Sequence, residues 1–233
     1  MPSAYWTHFG VVEATEHAEI VSRRGTASAH VEQWLPVDSS EIWLCVVTDD
    51  KPGLLALLST AITAHSLDIL EAKIYCRPRA TAQAEAIDFF CVRPIKAIGP
   101  MRLSEEDLDA LRGTITALLS GEMSVATLQR LSSATDVART RPETTVEIDE
   151  MDDADVLVVE TDDRPGLLAE ITMALFKTKV TIVTSSVATI AGRVRDEFHL
   201  LRADGGRLGL QRKNDIIWEV LSALERRTNK VQQ

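Results

Sequence analysis

Cysteine is scarce in this sequence. Cys45, Cys76 and Cys91 are odd in number and stand singly in apolar stretches, which suits free thiols in a reducing compartment better than a disulfide framework. Core packing is the default for Cys76 and Cys91, although they fall in neighbouring predicted strands. Basic charge is also in deficit: 25 Lys and Arg stand against 35 Asp and Glu, a net charge of −10. Such a field repels a phosphate backbone, so nucleic acid is not an expected partner. No apolar run approaches the ~20 residues that a membrane helix needs, and residues 1–10 lack a basic segment leading into an apolar core. A soluble, cytoplasmic protein without a membrane partner is expected.

The sequence also lacks the usual apparatus of catalysis. The five histidines, His8, His17, His30, His65 and His199, form no HExxH and no Cys/His cluster, which leaves no metal-ligand spacing. His8 and His17 near Glu13 and Glu16 are too far apart to share a helix face well. Asp153 and Asp155 have the spacing of a metal pair but sit in an acidic turn and read as solvated surface. The stretch Gly205–Gly209 lacks dinucleotide-loop spacing and reads as a turn, and no Gly-x-Ser-x-Gly occurs. The expectation is a non-enzyme without metal or cofactor.

What is present is an ordinary globular composition, 45% hydrophobic over 233 residues, enough for one large or two small domains. It carries an internal repeat. Asp49-Asp50-Lys51-Pro52-Gly53-Leu54-Leu55 recurs as Asp162-Asp163-Arg164-Pro165-Gly166-Leu167-Leu168, with only Lys for Arg differing. Before each copy lies a β-branched, apolar segment of strand length, 41–48 and 155–161; after each, 54–65 and 167–178 place apolar residues at helical spacing. Second strands are predicted at 67–77 and 180–190, and third strands at 86–94 and 195–203. Closing helices are predicted at 104–121, capped by Ser104, and at 213–227, ending in arginines.

Each repeat therefore reads β-α-β-β-α, one strand short of a ferredoxin-like unit. Candidate strands at 28–36 and 143–150 are predicted to supply the missing one by forming a hairpin with each first strand. The fold class is α+β: two ferredoxin-like units with antiparallel sheets, packed sheet beside sheet. Residues 26–121 form the first unit, 122–141 a linker with a short helical stretch, and 142–233 the second. Residues 1–25 read as an amphipathic helical segment, anchored on the first unit by Tyr5, Trp6 and Phe9.

The repeated turn has two readings. Proline suits a helix's first turn and the preceding Asp can cap it, so DDxPG serves as a strand-to-helix turn. Gly53 and Gly166 also lack a Cβ where helix-start amides point outward, which permits close approach of a carboxylate, while Asp50 and Asp163 suit an ammonium group. An α-amino acid carries both charges.

These features resemble the ACT domain, a small regulatory module that binds amino acids at domain interfaces. More narrowly, the chain resembles the C-terminal tandem ACT region of the bifunctional uridylyltransferase/uridylyl-removing family of nitrogen signalling, a glutamine sensor. The resemblance rests on Asp50 to Leu55, Asp88-Phe89-Phe90, Val146 to Asp149, Asp163 to Leu168 and Asp196-Glu197-Phe198, with Tyr5-Trp6 and His17-Ala18 upstream. It implies ligand-binding positions at Thr48, Asp50, Gly53, Leu54 and Asp68 in the first repeat, and at Thr161, Asp163, Gly166, Leu167 and Thr181 in the second. Asp68 and Thr181 depart from the Asn common in such units, and Asp68 beside Asp50 would gather two negative charges.

The sequence thus reads as a stand-alone, non-catalytic regulatory protein that binds an amino acid, glutamine being one candidate, and signals occupancy to a protein partner in nitrogen regulation. The alternative is a ligand-free protein-interaction or dimerisation scaffold. Unpaired sheet edges make a homodimer one expected assembly.

Overall fold

A computed structural model describes residues 1–36, 41–79, 83–95, 102–131, 144–151, 154–190 and 192–226. Two short helices, α1 (Ser3–Trp6) and α2 (Val11–Arg24), precede strands β1 (Ala29–Trp34) and β2 (Ile42–Asp49). Then come α3 (Leu54–Ala64), β3 (Leu67–Arg77), β4 (Glu85–Pro94), α4 (Glu105–Ser120) and α5 (Val125–Leu131). The second half repeats the pattern as β5 (Thr145–Glu150), β6 (Asp155–Asp162), α6 (Leu167–Lys177), β7 (Val180–Ile190), β8 (Arg193–Arg202) and α7 (Leu210–Arg226). The expected strands and helices are all found, with boundaries shifted by up to three residues. The candidate strands ahead of each repeat do form antiparallel hairpin partners, β1 with β2 and β5 with β6.

All eight strands join one antiparallel sheet in the order β1-β2-β4-β3-β7-β8-β6-β5. The halves meet where β3 pairs with β7, from Glu71 opposite Ala188 to Ile74 opposite Ser185. Within that ladder Lys73 faces Ser186, its own counterpart in the repeat. Above it α3 packs on α6, and Ser59 hydrogen-bonds Thr172, also 113 residues later, at 3.0 Å. Two self-matched pairs in different layers define a pseudo-twofold axis between the halves. Matching bulges, at Ile69/Glu71 and Ile182/Thr184, kink the central strands at equivalent points.

One core runs through both halves between sheet and helices, from Leu44, Leu58 and Phe90 to Leu157, Ile171 and Phe198. Leu128 of α5, in the expected linker, is part of it. A second cluster covers the other face of the first half only: Tyr5, Phe9 and Ile20 pack on Trp34, Trp43, Cys45, Tyr75 and Phe89. That is why β2 and β4 are apolar on both sides, in continuous rather than alternating runs. Trp6, expected to be an anchor, is 54% exposed: the chain turns after it, and α2 starts afresh at Gly10, whose amide donates to Glu13 at 2.8 Å.

Two further expectations change. Asp155 is fully buried rather than solvated, accepting from Arg207 and Lys213 and, at 2.7 Å, from the Leu208 amide; Asp153 lies outside the described residues. The caps of α3 and α6 are Gly53 and Gly166 themselves, at φ 78° and 81°, not the aspartates before them. That left-handed conformation is one that glycine adopts without strain.

Candidate functional site

The repeated turn carries β6 into α6, and its counterpart carries β2 into α3. At the second turn a cleft opens between the halves. Asp163, Gly166, Leu167 and Asp196 line it from the second half, and Thr63, Asp68 and Ile69 from the first. The site is therefore composite: Asp68 meets Asp163 of the other repeat. The Arg93 guanidinium bridges the two, 2.7 Å from Asp68 and 3.3 Å from Asp163. Both carboxylate side chains are largely buried, at 3% and 9% exposure, whereas Arg93 is 54% exposed, so the cation is the movable member of the trio.

Beneath them lies Asp196, whose carboxyl oxygens have no partner in hydrogen-bond geometry. Burial, with the nearby charge of Asp163, drives its carboxyl well above the usual carboxylate range, and the backbone at Ala188 opposes this in part. The Thr63 hydroxyl is likewise buried without a partner. Helix geometry leaves the Leu168 and Ala169 amides without intrahelical acceptors, while those of Leu167 and Glu170 bond Arg164 and Gly166. Buried acids, an idle hydroxyl and helix-start donors thus surround a cavity of about 10 Å³, room for one water.

The other expected positions lie elsewhere. Thr48 is buried and donates to Ser28 O at 2.9 Å, and Thr161 shares a 2.8 Å bond with Thr144; both tie the repeat's first strand to its hairpin partner. Asp50, Gly53 and Leu54 form the equivalent turn of the first half. Asp50 lies near Cys76, whose thiol is pushed up by burial and then by the charges of Asp50 and Asp88. Thr181, the counterpart of Asp68, is exposed. Reading the sequence missed Thr63, Arg93 and Asp196 as site residues. Asp196 stood within a quoted motif, and the repeat offset pairs Thr63 with Phe176, but only the β3–β7 junction brings Arg93 to Asp163.

Among the described residues no group of three or more His, Cys, Asp or Glu is placed to hold a metal ion, and no helix is long and apolar enough to cross a membrane.

No family model matches the chain. It is 28% identical over 227 residues to the bifunctional uridylyltransferase/uridylyl-removing enzyme of Rhodospirillum rubrum, covering 94% of this chain and 24% of that protein. The enzyme of the same name from Caulobacter vibrioides is 25% identical over 229 residues, 97% of this chain and 24% of its own. That from Bradyrhizobium diazoefficiens is 25% identical over 231 residues, with 94% and 24% covered. The chain spans about a quarter of the length of these curated relatives. It is thus homologous, along nearly all of its own length, to a partial stretch of the bifunctional uridylyltransferase/uridylyl-removing enzyme.

Proposed function

We propose that each half is an ACT-like, ferredoxin-like unit and that the chain is a non-catalytic regulatory module binding an α-amino acid in the cleft at Gly166. The observation that carries the reading is the Arg93 guanidinium held between Asp68 and Asp163, one acid from each half. A cation is already selected there. An α-ammonium group arriving in its place keeps two buried carboxylates neutralised, while the α-carboxylate meets the helix-start amides at Leu168 and Ala169. Arg93 is exposed enough to swing into solvent once the ligand ammonium has taken over the neutralisation of the two buried carboxylates.

Entry of a ligand also requires the halves to part, since the cleft as it stands has room for only one water. Binding therefore favours one packing of the halves over another, and a protein partner that distinguishes the two packings reads occupancy as a coupling free energy. Glutamine is the first candidate, through the ACT resemblance.

The test is thermal unfolding with each of the twenty amino acids at millimolar concentration. A ligand at ~100 times its dissociation constant adds about 2.7 kcal/mol to stability. One amino acid, or a chemically related few, should raise the midpoint, and Asp68→Asn should abolish the rise while leaving a folded protein. If none raises it, the ligand reading fails and the protein-interaction scaffold takes its place.

A further inference from the structure

We infer that the chain binds one amino acid rather than two, because the Phe176 ring closes the niche at Gly53 that corresponds to the open cleft at Gly166. This rests on the amino-acid reading above and deepens it.

The pseudo-twofold axis makes the two turns equivalent. Each has the C-terminal end of the other half's helix laid over its glycine: Thr63 of α3 over Gly166, and Phe176 of α6 over Gly53. Thr63 and Phe176 are the penultimate residues of their helices and occupy the same repeat position. A Cβ at Gly166 would lie 3.2 Å from the Thr63 methyl, a crowded contact that a shift of a few tenths of an ångström would relieve. At Gly53 it would lie 2.5 Å from Phe176 Cδ2 and 2.7 Å from Cε2, inside the ring's van der Waals surface. One turn is roofed by a methyl group and the other by a phenyl ring resting on the glycine Cα.

Burial supports this division. Phe176 is 47% exposed, so its ring lies on the turn instead of filling the core. Around Thr63 the buried hydroxyl is left without a partner, as suits a niche completed from outside. The charge differs as well: the acid that Asp68 supplies at Gly166 is replaced by the exposed Thr181 in the other half. The first niche is therefore both roofed and short of a carboxylate, two independent departures from the working arrangement.

Three full-length proteins distinguish the outcomes, each titrated calorimetrically with each of the twenty L-amino acids: the wild type, Thr63→Phe, and the double variant Phe176→Thr/Thr181→Asp. The wild type should take up one equivalent. Thr63→Phe, which roofs the open cleft as Phe176 roofs the other, should weaken binding at least about tenfold, and the double variant should take up a second equivalent. Circular dichroism confirms that each is folded; should Thr63→Phe not fold, Thr63→Leu replaces it. Two equivalents in the wild type, undiminished binding in the roofed variant, or a single equivalent in the double variant overturns the inference and leaves the site reading standing. No binding by any of the three overturns the site reading and this inference with it.

Discussion

Asp88 and Asp196 hold equivalent places on β4 and β8, each facing the helices beneath its repeat's turn, and both carboxyls are buried without a partner in hydrogen-bond geometry. Burial, then the charge of Asp50, raises Asp88 well above the usual carboxylate range, with the backbone at Tyr75 opposing in part. The folded chain therefore keeps a proton that the unfolded chain releases near pH 4. The stability tied to that proton is whole below about pH 4 and drains away as pH rises toward the raised native value. Asp88→Asn removes the titration, so it should raise the unfolding midpoint by an amount that grows as pH climbs above about 4 and vanishes below it. Midpoints measured across pH check this; a loss of stability independent of pH would falsify the account. The repeat alone marked both aspartates as equivalent. Their lack of partners was not legible, because it depends on which atoms neighbouring strands and helices bring to each carboxyl.

Among the elements, the α1–α2 pair docks through an aromatic seam with a buried polar contact inside it, beside others in which Trp34 donates to Glu16 at 2.9 Å and Tyr75 shares a 2.7 Å bond with His8. His17 is 3% exposed and bonds the Tyr5 hydroxyl at 2.7 Å through Nδ1. It is packed against Phe9, Trp34 and Phe89. Burial lowers its pKa to about 4, with the charge of Glu13 opposing weakly. The stability this provides is fully present above the unfolded value near 6.5 and is lost as pH falls toward about 4, a change of about 3 kcal/mol. Amide exchange in α2 should accelerate over that window, ahead of the central strands, and His17→Phe should flatten the dependence. Equal protection of α2 at pH 7 and pH 4.5 would show that His17 does not govern docking. The helical segment and two of its anchors, Tyr5 and Phe9, were legible from apolar spacing. The outward turn of Trp6 was not, since it follows from where the chain breaks before Gly10. Nor was the histidine's role legible, since His17 meets Tyr5 only through the docked fold.

At the scale of the whole molecule, the halves share one core across the β3–β7 ladder and the α3–α6 contact, so neither can lose its packing without exposing the other. Leu58 is fully buried in that core. Leu58→Ala should cost about 3 kcal/mol and move the entire calorimetric transition as one peak. A transition that splits, with one component unmoved, would show that the halves melt separately.

The sequence by itself determined the repeat, the order and type of the elements, the hairpin partners of each first strand and the glycine-centred turns, because these rest on periodicity and local backbone chemistry within a few residues. The tertiary structure alone decided that Asp68 meets Asp163 rather than Asp50 and that Arg93 sits between them. It also decided that Phe176 covers one turn while Thr63 leaves the other open. The contacts among these that cross between the halves join residues 70 to about 120 positions apart, and they exist only because two near-copies of one unit pair their central strands about an axis that no local pattern encodes.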